Sequence, residues 1–149
     1  MPSASLSSPF GPLTLTETGG TLTALHWKGG AADPSPLLTE AIAQLTGYFD
    51  GNLQSFDLPL HFGTGFQARF LQALTEIPFG ETCTYGQLAR RLGTTAQAIG
   101  QACGANPLPI LIPCHRVLGQ SGLGGFSAPG GIETKVALLR HEGAAGLLI

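Results

Sequence analysis

Alternation of apolar and polar residues near the start of the chain predicts a β-hairpin over residues 9–27. Leu13 and Leu15 alternate with threonines, the glycines at 19 and 20 supply a turn, and residues 22–27 resume the apolar run. A glycine pair between two such runs is typical of a tight hairpin turn, because glycine adopts positive φ angles without steric cost. No regular element is assigned to the small, polar residues before position 9.

Apolar residues then recur at helical spacing over residues 37–49, which predicts an amphipathic helix that ends at Asp50-Gly51. Residues 56–60 are predicted to form a short edge strand, because Pro59 has no N–H to donate to an inner ladder. We identify no constellation of reactive side chains in residues 1–62 and expect this part to act as a scaffold.

The pattern after residue 62 is mainly helical. Helices are predicted over residues 64–77, 85–92 and 96–103, with Thr64 and Thr84 as N-caps and a break at Gly93. Two short helices joined by a glycine-containing turn have the outline of a helix-turn-helix, although many such pairs only serve packing. Residues 106–113 are predicted to form an apolar strand, followed by a glycine-rich loop over 119–131 and a closing helix over 134–141.

Composition and charge narrow the class of protein. The chain has 149 residues, enough for one domain or two small ones, and its 43% hydrophobic and 11% charged residues exclude a disordered chain. The net charge of -2 divides into -4 before residue 63 and +2 after it, so the second part tolerates a phosphate backbone. We expect DNA affinity to be weak and sensitive to salt. Apolar stretches are too short for a membrane span and no secretion signal is evident, which predicts a cytoplasmic protein.

Cysteine and histidine usage points to a nucleophile rather than to a metal. The three cysteines include no CxxC pair and the four histidines form no cluster at ligand spacing, so we expect no disulfide framework, no metal and no cofactor. A thiolate is the competent nucleophile, and His115 beside Cys114 is a candidate base with Glu142 as its orienting carboxylate. A buried structural cysteine next to a histidine has the same pattern, and both interpretations stay open at this point.

The residues around Cys114 carry a family resemblance. The stretch Pro113-Cys114-His115-Arg116-Val117, preceded by the proline-rich residues 106–112, resembles the signature of the O6-alkylguanine-DNA alkyltransferases, the methylated-DNA–protein-cysteine methyltransferases. Further similar stretches are residues 78–82, residues 85–89, the surroundings of Gly100 and Ala102, and residues 138–143. The resemblance is strong from about residue 64 to 144 and much weaker before it.

This resemblance implies a fold of the α/β plus α class in two domains. Residues 1–62 would form a ribonuclease-H-like strand-and-helix domain, and residues 63–149 a helical, winged-helix-like domain whose helix-turn-helix spans about residues 84–104. The implied partner is alkylated DNA, bound in the minor groove with the damaged guanine flipped out of the stack. No membrane and no obligate protein partner are implied, and a monomer is the default expectation.

The implied activity is irreversible, single-turnover transfer of the alkyl group from O6 of guanine, and by analogy O4 of thymine, to Cys114. His115 and a bridging water would take the thiol proton, Glu142 would orient His115, and Asn106 would brace the turn before the nucleophile. The resemblance also implies contacts to the DNA, from Tyr85 at the 3′ phosphate and the base and from Gln97 in the recognition helix. Around the flipped base, Pro109 would lie at the pocket edge, Phe126 in the pocket wall and Arg116 near the active site. The carbonyls of Cys114 and Val117 would contact the base, and the backbone N–H of Ser127 would face O6.

The chain departs from the family pattern at one DNA-binding position. Relatives carry an arginine early in the recognition helix, where it holds the place of the flipped base, and this chain has Gln97. Glutamine lacks the charge and the planar guanidinium that stacks on bases and attracts phosphates. We therefore predict weaker duplex binding or slower flipping, with better tolerance for lesions that are mispaired or single-stranded.

Two other functions remain as alternatives. The first is a non-catalytic sensor that binds the alkylated base and recruits other repair factors, but relatives of that kind usually replace the cysteine, whereas Cys114 is present. The second is a Cys-His hydrolase acting on an acyl substrate, which would need an oxyanion hole and turnover. The sequence leaves open the range of alkyl groups accepted and the preference for duplex or single-stranded DNA.

Overall fold

The computed structural model of the chain describes residues 1–119, 122–124 and 129–144. It divides into two compact units, Met1–His61 and Phe62–Ile149. The first unit consists of β1 (Ser3–Ser8), β2 (Gly11–Thr18), β3 (Thr21–His26), β4 (Ala32–Asp33) and α1 (Pro36–Phe49). Its four strands form an antiparallel sheet in the order β3-β2-β1-β4.

The hairpin predicted over residues 9–27 is confirmed as β2 and β3, but the sequence analysis missed β1. This strand pairs with both β2 and β4 and buries Ala4 and Leu6. Its other side chains are serines, whose low strand propensity conceals the alternation. Serine hydroxyls of β1 hydrogen-bond to threonine hydroxyls of β2, as in the pair Ser5–Thr14 at 2.7 Å. Cross-strand polar pairs therefore support a strand with few apolar residues.

Helix α1 covers one face of this sheet. Ser35 accepts a hydrogen bond from the backbone N–H of Leu38, and Pro36 occupies the first turn, so the helix begins one residue before the predicted start. The helix contacts β1 and β2, which carry the buried Leu6, Leu13 and Leu15. The buried side chains of the helix itself are Leu38, Ala41, Leu45 and Tyr48. The predicted edge strand over 56–60 is reduced to a single parallel bridge between Leu60 and Leu22.

Where the structure describes it, the second unit is helical apart from one short parallel strand pair. Its elements are α2 (Gly65–Thr75), β5 (Cys83–Thr84), α3 (Tyr85–Leu92), α4 (Ala96–Gly104), a 3-10 helix (Cys114–Arg116), β6 (Val117–Leu118) and α5 (Ile132–Glu142). The predicted caps of α3 are confirmed, because Thr84 and Gln87 form a capping box and Gly93 ends the helix at φ 71°. Thr95 caps α4 in the same way, so α3 and α4 form a tight pair.

The predicted apolar strand before Cys114 is wrong. Residues 108–113 form a compact turn with an isolated bridge between Pro109 and Ile112, and Ile110 adopts a φ of 73°. The prolines at 107, 109 and 113 lack the N–H that a ladder requires. Left-handed backbone is costly for a β-branched residue, and burial of Ile110 within the unit holds it there. Within the described residues no helix is both long and apolar enough to cross a bilayer.

Candidate active site at Cys114

Cys114 is the first residue of the 3-10 helix and is 5% exposed. Its backbone N–H donates to the carbonyl of Ile112 at 2.8 Å, which closes the turn that precedes it. Asn106 braces the same turn from the side, since its Nδ2 donates to the Ile112 carbonyl at 2.9 Å and its Oδ1 accepts from the N–H of Leu108 at 3.0 Å. The position of the thiol therefore depends on backbone hydrogen bonds rather than on a strand.

The environment of Cys114 differs from that of the other two cysteines. Burial raises the pKa of all three thiols, and that of Cys103 reaches about 12. A positive charge opposes this increase in pKa at each thiol, and at Cys114 the side chain of Asn106 opposes it as well. Both interactions favour the thiolate, which is the nucleophilic form.

His115, the residue after Cys114, forms a buried pair with Glu142. Nε2 of His115 lies 2.8 Å from Oε2 of Glu142, and neither side chain is exposed. Burial lowers the pKa of His115 more than the carboxylate raises it, so the imidazole is neutral near pH 7. Because a carboxylate accepts, we assign the proton to Nε2, which leaves the lone pair on Nδ1. That nitrogen is buried and has no hydrogen-bond partner within the described part of the chain, so it is available as a base.

The structure places Arg116 inside the unit rather than at a DNA-facing surface. Its guanidinium binds both carboxylate oxygens of Glu142, at 2.8 and 3.0 Å, and donates to the carbonyl of Ile77 at 2.6 Å. The residue is 6% exposed, and the side chain also lies over the ring of Phe79. A guanidinium used in this way is not available to a phosphate, which corrects the predicted DNA-binding role of Arg116. It fixes the carboxylate that contacts His115.

Lys135 is a site residue that the sequence analysis missed. It is fully buried, its Nζ donates to the carbonyl of Val117 at 2.7 Å, and it lies 5.6 Å from the ring centroid of Tyr85. Its charge acts on both Cys103 and Cys114. One signal in the sequence could have identified it: Lys135 falls at helical spacing with Leu138, Leu139 and Glu142 on the buried face of α5.

The remaining predicted residues are placed as follows. Tyr85 begins α3, is partly exposed, and has a pKa raised first by burial, so its phenol stays a donor. The carbonyls of Cys114 and Val117 each accept one internal hydrogen bond and retain a lone pair for a ligand. Pro109 is partly exposed and Gln97 is exposed in the first turn of α4. Phe126 and Ser127 lie outside the described residues.

The loop after β6 approaches Tyr85 at Gly124. A Cβ at Gly124 would lie 2.7 Å from the phenol oxygen and 2.8 Å from a ring carbon, and the φ of 73° disfavours any other residue. We therefore expect Gly124→Ala to displace Tyr85 and to slow the reaction of the site roughly tenfold or more, as a misplacement near 1 Å does. Single-turnover rates measure this, with Gly122→Ala as the control because nothing lies near a Cβ at Gly122. Equal rates for the two variants would contradict the placement of Tyr85.

Comparison with known proteins assigns the chain to a family. The model of the 6-O-methylguanine DNA methyltransferase ribonuclease-like domain matches residues 3–62, and that of the DNA binding domain of the same enzyme matches residues 65–144. The chain belongs to the 6-O-methylguanine DNA methyltransferase family. The family identified from the residues around Cys114 is thereby confirmed, and so is the predicted fold of a strand-containing domain followed by a helical one.

Similar proteins agree along most of the chain. The methylated-DNA–protein-cysteine methyltransferase of Mycobacterium bovis is 44% identical, with 92% of this chain and 89% of that protein covered. The corresponding protein of Methanosarcina acetivorans is 38% identical, with 95% and 97% covered. The crystal structure of the Mycobacterium tuberculosis O6-methylguanine methyltransferase is 42% identical, covers 95% of this chain and 92% of that one, and superposes with a TM-score of 0.83.

The family settles the class of activity. Its members repair DNA by transferring an alkyl group to a protein cysteine, and the comparisons support this activity for the chain. They do not favour the alternative of a sensor that binds without transfer. In the parts of the chain that the structure describes, no group of three or more histidine, cysteine or acidic residues is arranged to hold a metal ion.

Proposed function

We propose that the chain removes the alkyl group from O6-alkylguanine in DNA and retains it irreversibly on Cys114. The observation that supports this assignment is the buried contact between His115, the residue after Cys114, and Glu142, at a turn that the Asn106 side chain braces. Of the three cysteines, Cys114 is the one followed directly by this base. The thioether product does not hydrolyse, so each molecule reacts once.

The bonds formed and broken in the proposed transfer balance, and so do the protons. The sulfur of Cys114 forms a bond to the alkyl carbon as the bond from that carbon to O6 breaks. The thiol proton passes through a water to Nδ1 of His115, which becomes an imidazolium stabilised by Glu142. The guanine leaves as an anion and takes up one proton, so the net reaction moves one proton from sulfur to the base. Arg116 keeps the carboxylate in place without touching the substrate.

DNA binding is assigned to the pair α3 and α4 in this proposal. The methyltransferase of Mycobacterium tuberculosis has been crystallised with DNA, and that protein is 41% identical with a TM-score of 0.83. A helix-turn-helix in the minor groove with a flipped guanine is the mode that we adopt for this chain. Positive charge is sparse here: Arg91 is paired with Glu76, and α4 carries no charged residue. The affinity therefore depends strongly on salt and on few phosphate contacts.

The other predicted residues complete the proposed pocket. Tyr85 donates its phenolic hydrogen to the base, the carbonyls of Cys114 and Val117 accept from the exocyclic amino group, and Pro109 lines the edge. Phe126 and Ser127 are assigned to the wall and to O6, and O4-alkylthymine is a second substrate by family analogy. We also infer that the chain acts on DNA as a monomer, in a reducing, cytoplasmic compartment that agrees with three free cysteines.

The test is direct peptide mapping. The purified protein is incubated with a duplex oligonucleotide that carries O6-methylguanine, digested with a protease and examined by mass spectrometry. One added methyl group on the peptide that contains Cys114, and none on the peptides with Cys83 or Cys103, would support the proposal. Tight binding of the duplex with every peptide unmodified would instead identify a lesion sensor.

Replacement of His115 is expected to change the pH dependence of the reaction. In the unchanged protein the rate should fall only as pH drops below the lowered pKa of His115, because the neutral imidazole is the base. His115→Gln should react about 10²-fold to 10⁴-fold more slowly near pH 7. Its rate should then rise about tenfold per pH unit, since the thiol of Cys114, with its raised pKa, must ionise unaided. Identical pH profiles would exclude His115 as the base.

Restoring charge to the recognition helix is expected to strengthen duplex repair. Gln97 is exposed in the first turn of α4, so Gln97→Arg adds a cation that stacks on bases and attracts phosphate. We expect duplex affinity to rise roughly tenfold and the reaction with single-stranded lesions to change less. Gln101→Arg, on the same helix and also exposed, controls for charge alone. Equal rates for duplex repair before and after Gln97→Arg would show that the departure from the family pattern has no consequence.

A further inference from the structure

The outer face of α5 carries an apolar groove that the reaction does not use. Its volume is about 390 Å³, and it is lined by Leu123, Ile132, Glu133, Val136, Ala137 and Arg140. Ile132 is 41% exposed and is the one large apolar side chain besides Met1 that is exposed within the described residues. The opposite face of the helix holds Lys135 and Glu142, so the groove and the active site are on different sides of α5.

Two unpaired charges of opposite sign stand along this groove. Glu133 lies in the first turn of α5 and Arg140 in the last, and both are exposed. Neither side chain takes part in an ion pair or a side-chain hydrogen bond anywhere in the described ranges. Seven residues are close to two helical turns, so the two charges point to the same side, about 10 Å apart along the axis. Both charges suit the helix dipole, but the dipole does not account for the apolar residues between them.

The exposed face of α5, with Glu133 at one end and Arg140 at the other, is complementary to the same face of a second copy. If a second α5 lies antiparallel on the first, with a two-fold axis between Val136 and Ala137, each Glu133 meets the Arg140 of the other copy. Ile132, Val136 and the small Ala137 then pack across the axis, where the alanine permits a close approach of the helices. Such a two-fold contact uses the same patch on both copies, and it makes two ion pairs from one acidic and one basic residue.

We propose that α5 of one chain docks antiparallel on α5 of a second copy, and that the partner of this groove is therefore the chain itself. The contact is weak, because a helix of 11 residues is only about 16 Å long and buries less than the roughly 1,000 Å² of a stable interface. We therefore expect the chain to self-associate at high local concentration and to be a monomer at lower concentration. The contact leaves the face that bears Lys135 and Glu142 uncovered.

Charge reversal and charge exchange test the pairing. Sedimentation of the full chain is measured without DNA over concentrations up to roughly 1 mM, because an interface this small associates weakly. Arg140→Glu and Glu133→Arg should each weaken self-association by roughly tenfold or more, since each replaces two attractions by two repulsions. The double exchange Glu133→Arg with Arg140→Glu restores both ion pairs and should return the dissociation constant to within about threefold of the original. Lys28→Glu, exposed in the first unit, makes the same change of net charge as Arg140→Glu and should leave association unchanged.

The dissociation constants of these variants, taken together, decide whether the two copies pair through α5. Association weakened by both single changes and recovered in the exchange establishes the antiparallel pairing. A chain that remains monomeric throughout the range overturns the proposal, and so does an exchange variant as weak as the single ones. Methyl transfer to Cys114 is measured separately at nanomolar protein, so failure of the self-association leaves the proposed reaction untouched.

Discussion

Cys114→Ser is expected to abolish alkyl transfer while DNA binding persists. Serine has nearly the same size, and the amide of Asn106 and the turn at Ile112 remain to hold it. A hydroxyl, however, does not ionise near neutral pH, so the nucleophile is lost. We expect the single-turnover rate to fall by at least roughly 10⁴-fold, as when other enzymes lose their nucleophile. Transfer of a radioactive methyl group from DNA to protein measures the loss, and a mobility-shift assay measures binding.

The other two thiols provide matched controls. Cys83 and Cys103 are both only partly exposed, and the pKa of Cys103 is raised to about 12, which keeps it protonated. Cys103→Ser and Cys83→Ser should therefore transfer the methyl group at close to the original rate. Full transfer by Cys114→Ser, together with loss in Cys103→Ser, would assign the acceptor to the recognition helix and contradict the proposed mechanism.

Glu142→Gln is expected to weaken both the fold and the reaction. The carboxylate binds Arg116 through two contacts and His115 through a third, all of them buried. An amide of the same shape cannot compensate the buried guanidinium, so the free energy of unfolding should fall by about 3 kcal/mol. The rate should fall by about 10²-fold, because His115 loses the acceptor that orients it. Urea unfolding and single-turnover kinetics below the unfolding transition measure the two effects separately.

The pH profile separates orientation of the base from general destabilisation. Glu142 raises the pKa of His115 against the effect of burial, so removing its charge should move the acid limb of the rate profile to lower pH. Glu133→Gln makes the same chemical change on the same helix at an exposed position, so it should lower the free energy of unfolding by less than about 1 kcal/mol and leave the rate unchanged. A slower Glu142→Gln variant with an unshifted acid limb would show that Glu142 acts on the fold and not on His115.

Local signals predicted the helices of the second unit well. The capping threonine before Tyr85 and the glycine after Leu92 each act within one turn of chain, and the structure shows both in those roles, whereas Thr64 precedes α2 without making the predicted capping hydrogen bond. The proposed reactive pair was also evident, because Cys114 and His115 are adjacent and their surroundings match a known family. Helix caps and other features that depend only on neighbouring residues can be predicted from the sequence without knowledge of the fold.

Errors arose where a distant element decides the outcome. Strand β1 exists because β2 and β4 pair with its backbone, and its serines alone do not indicate a strand. Residues 108–113 were interpreted as a strand from their apolar character, but burial within the unit and the prolines impose a turn with a left-handed Ile110. The sequence indicates that an apolar run will be buried, but the conformation of its backbone depends on the residues that pack around it.

The sequence by itself determined the family and the class of reaction, and it identified Cys114 and His115 as the proposed nucleophile and base, because these rest on residue types in immediate succession. Only the tertiary structure decided that Arg116 binds Glu142 instead of DNA and that Lys135 lies buried beside Tyr85 and Val117. Glu142 is 26 residues from Arg116 in the chain, and Lys135 is 18 from Val117. Chain segments this distant in sequence decide whether a charged side chain is exposed to water or bound to a buried partner. The buried partner then determines the charge state and the role of the side chain.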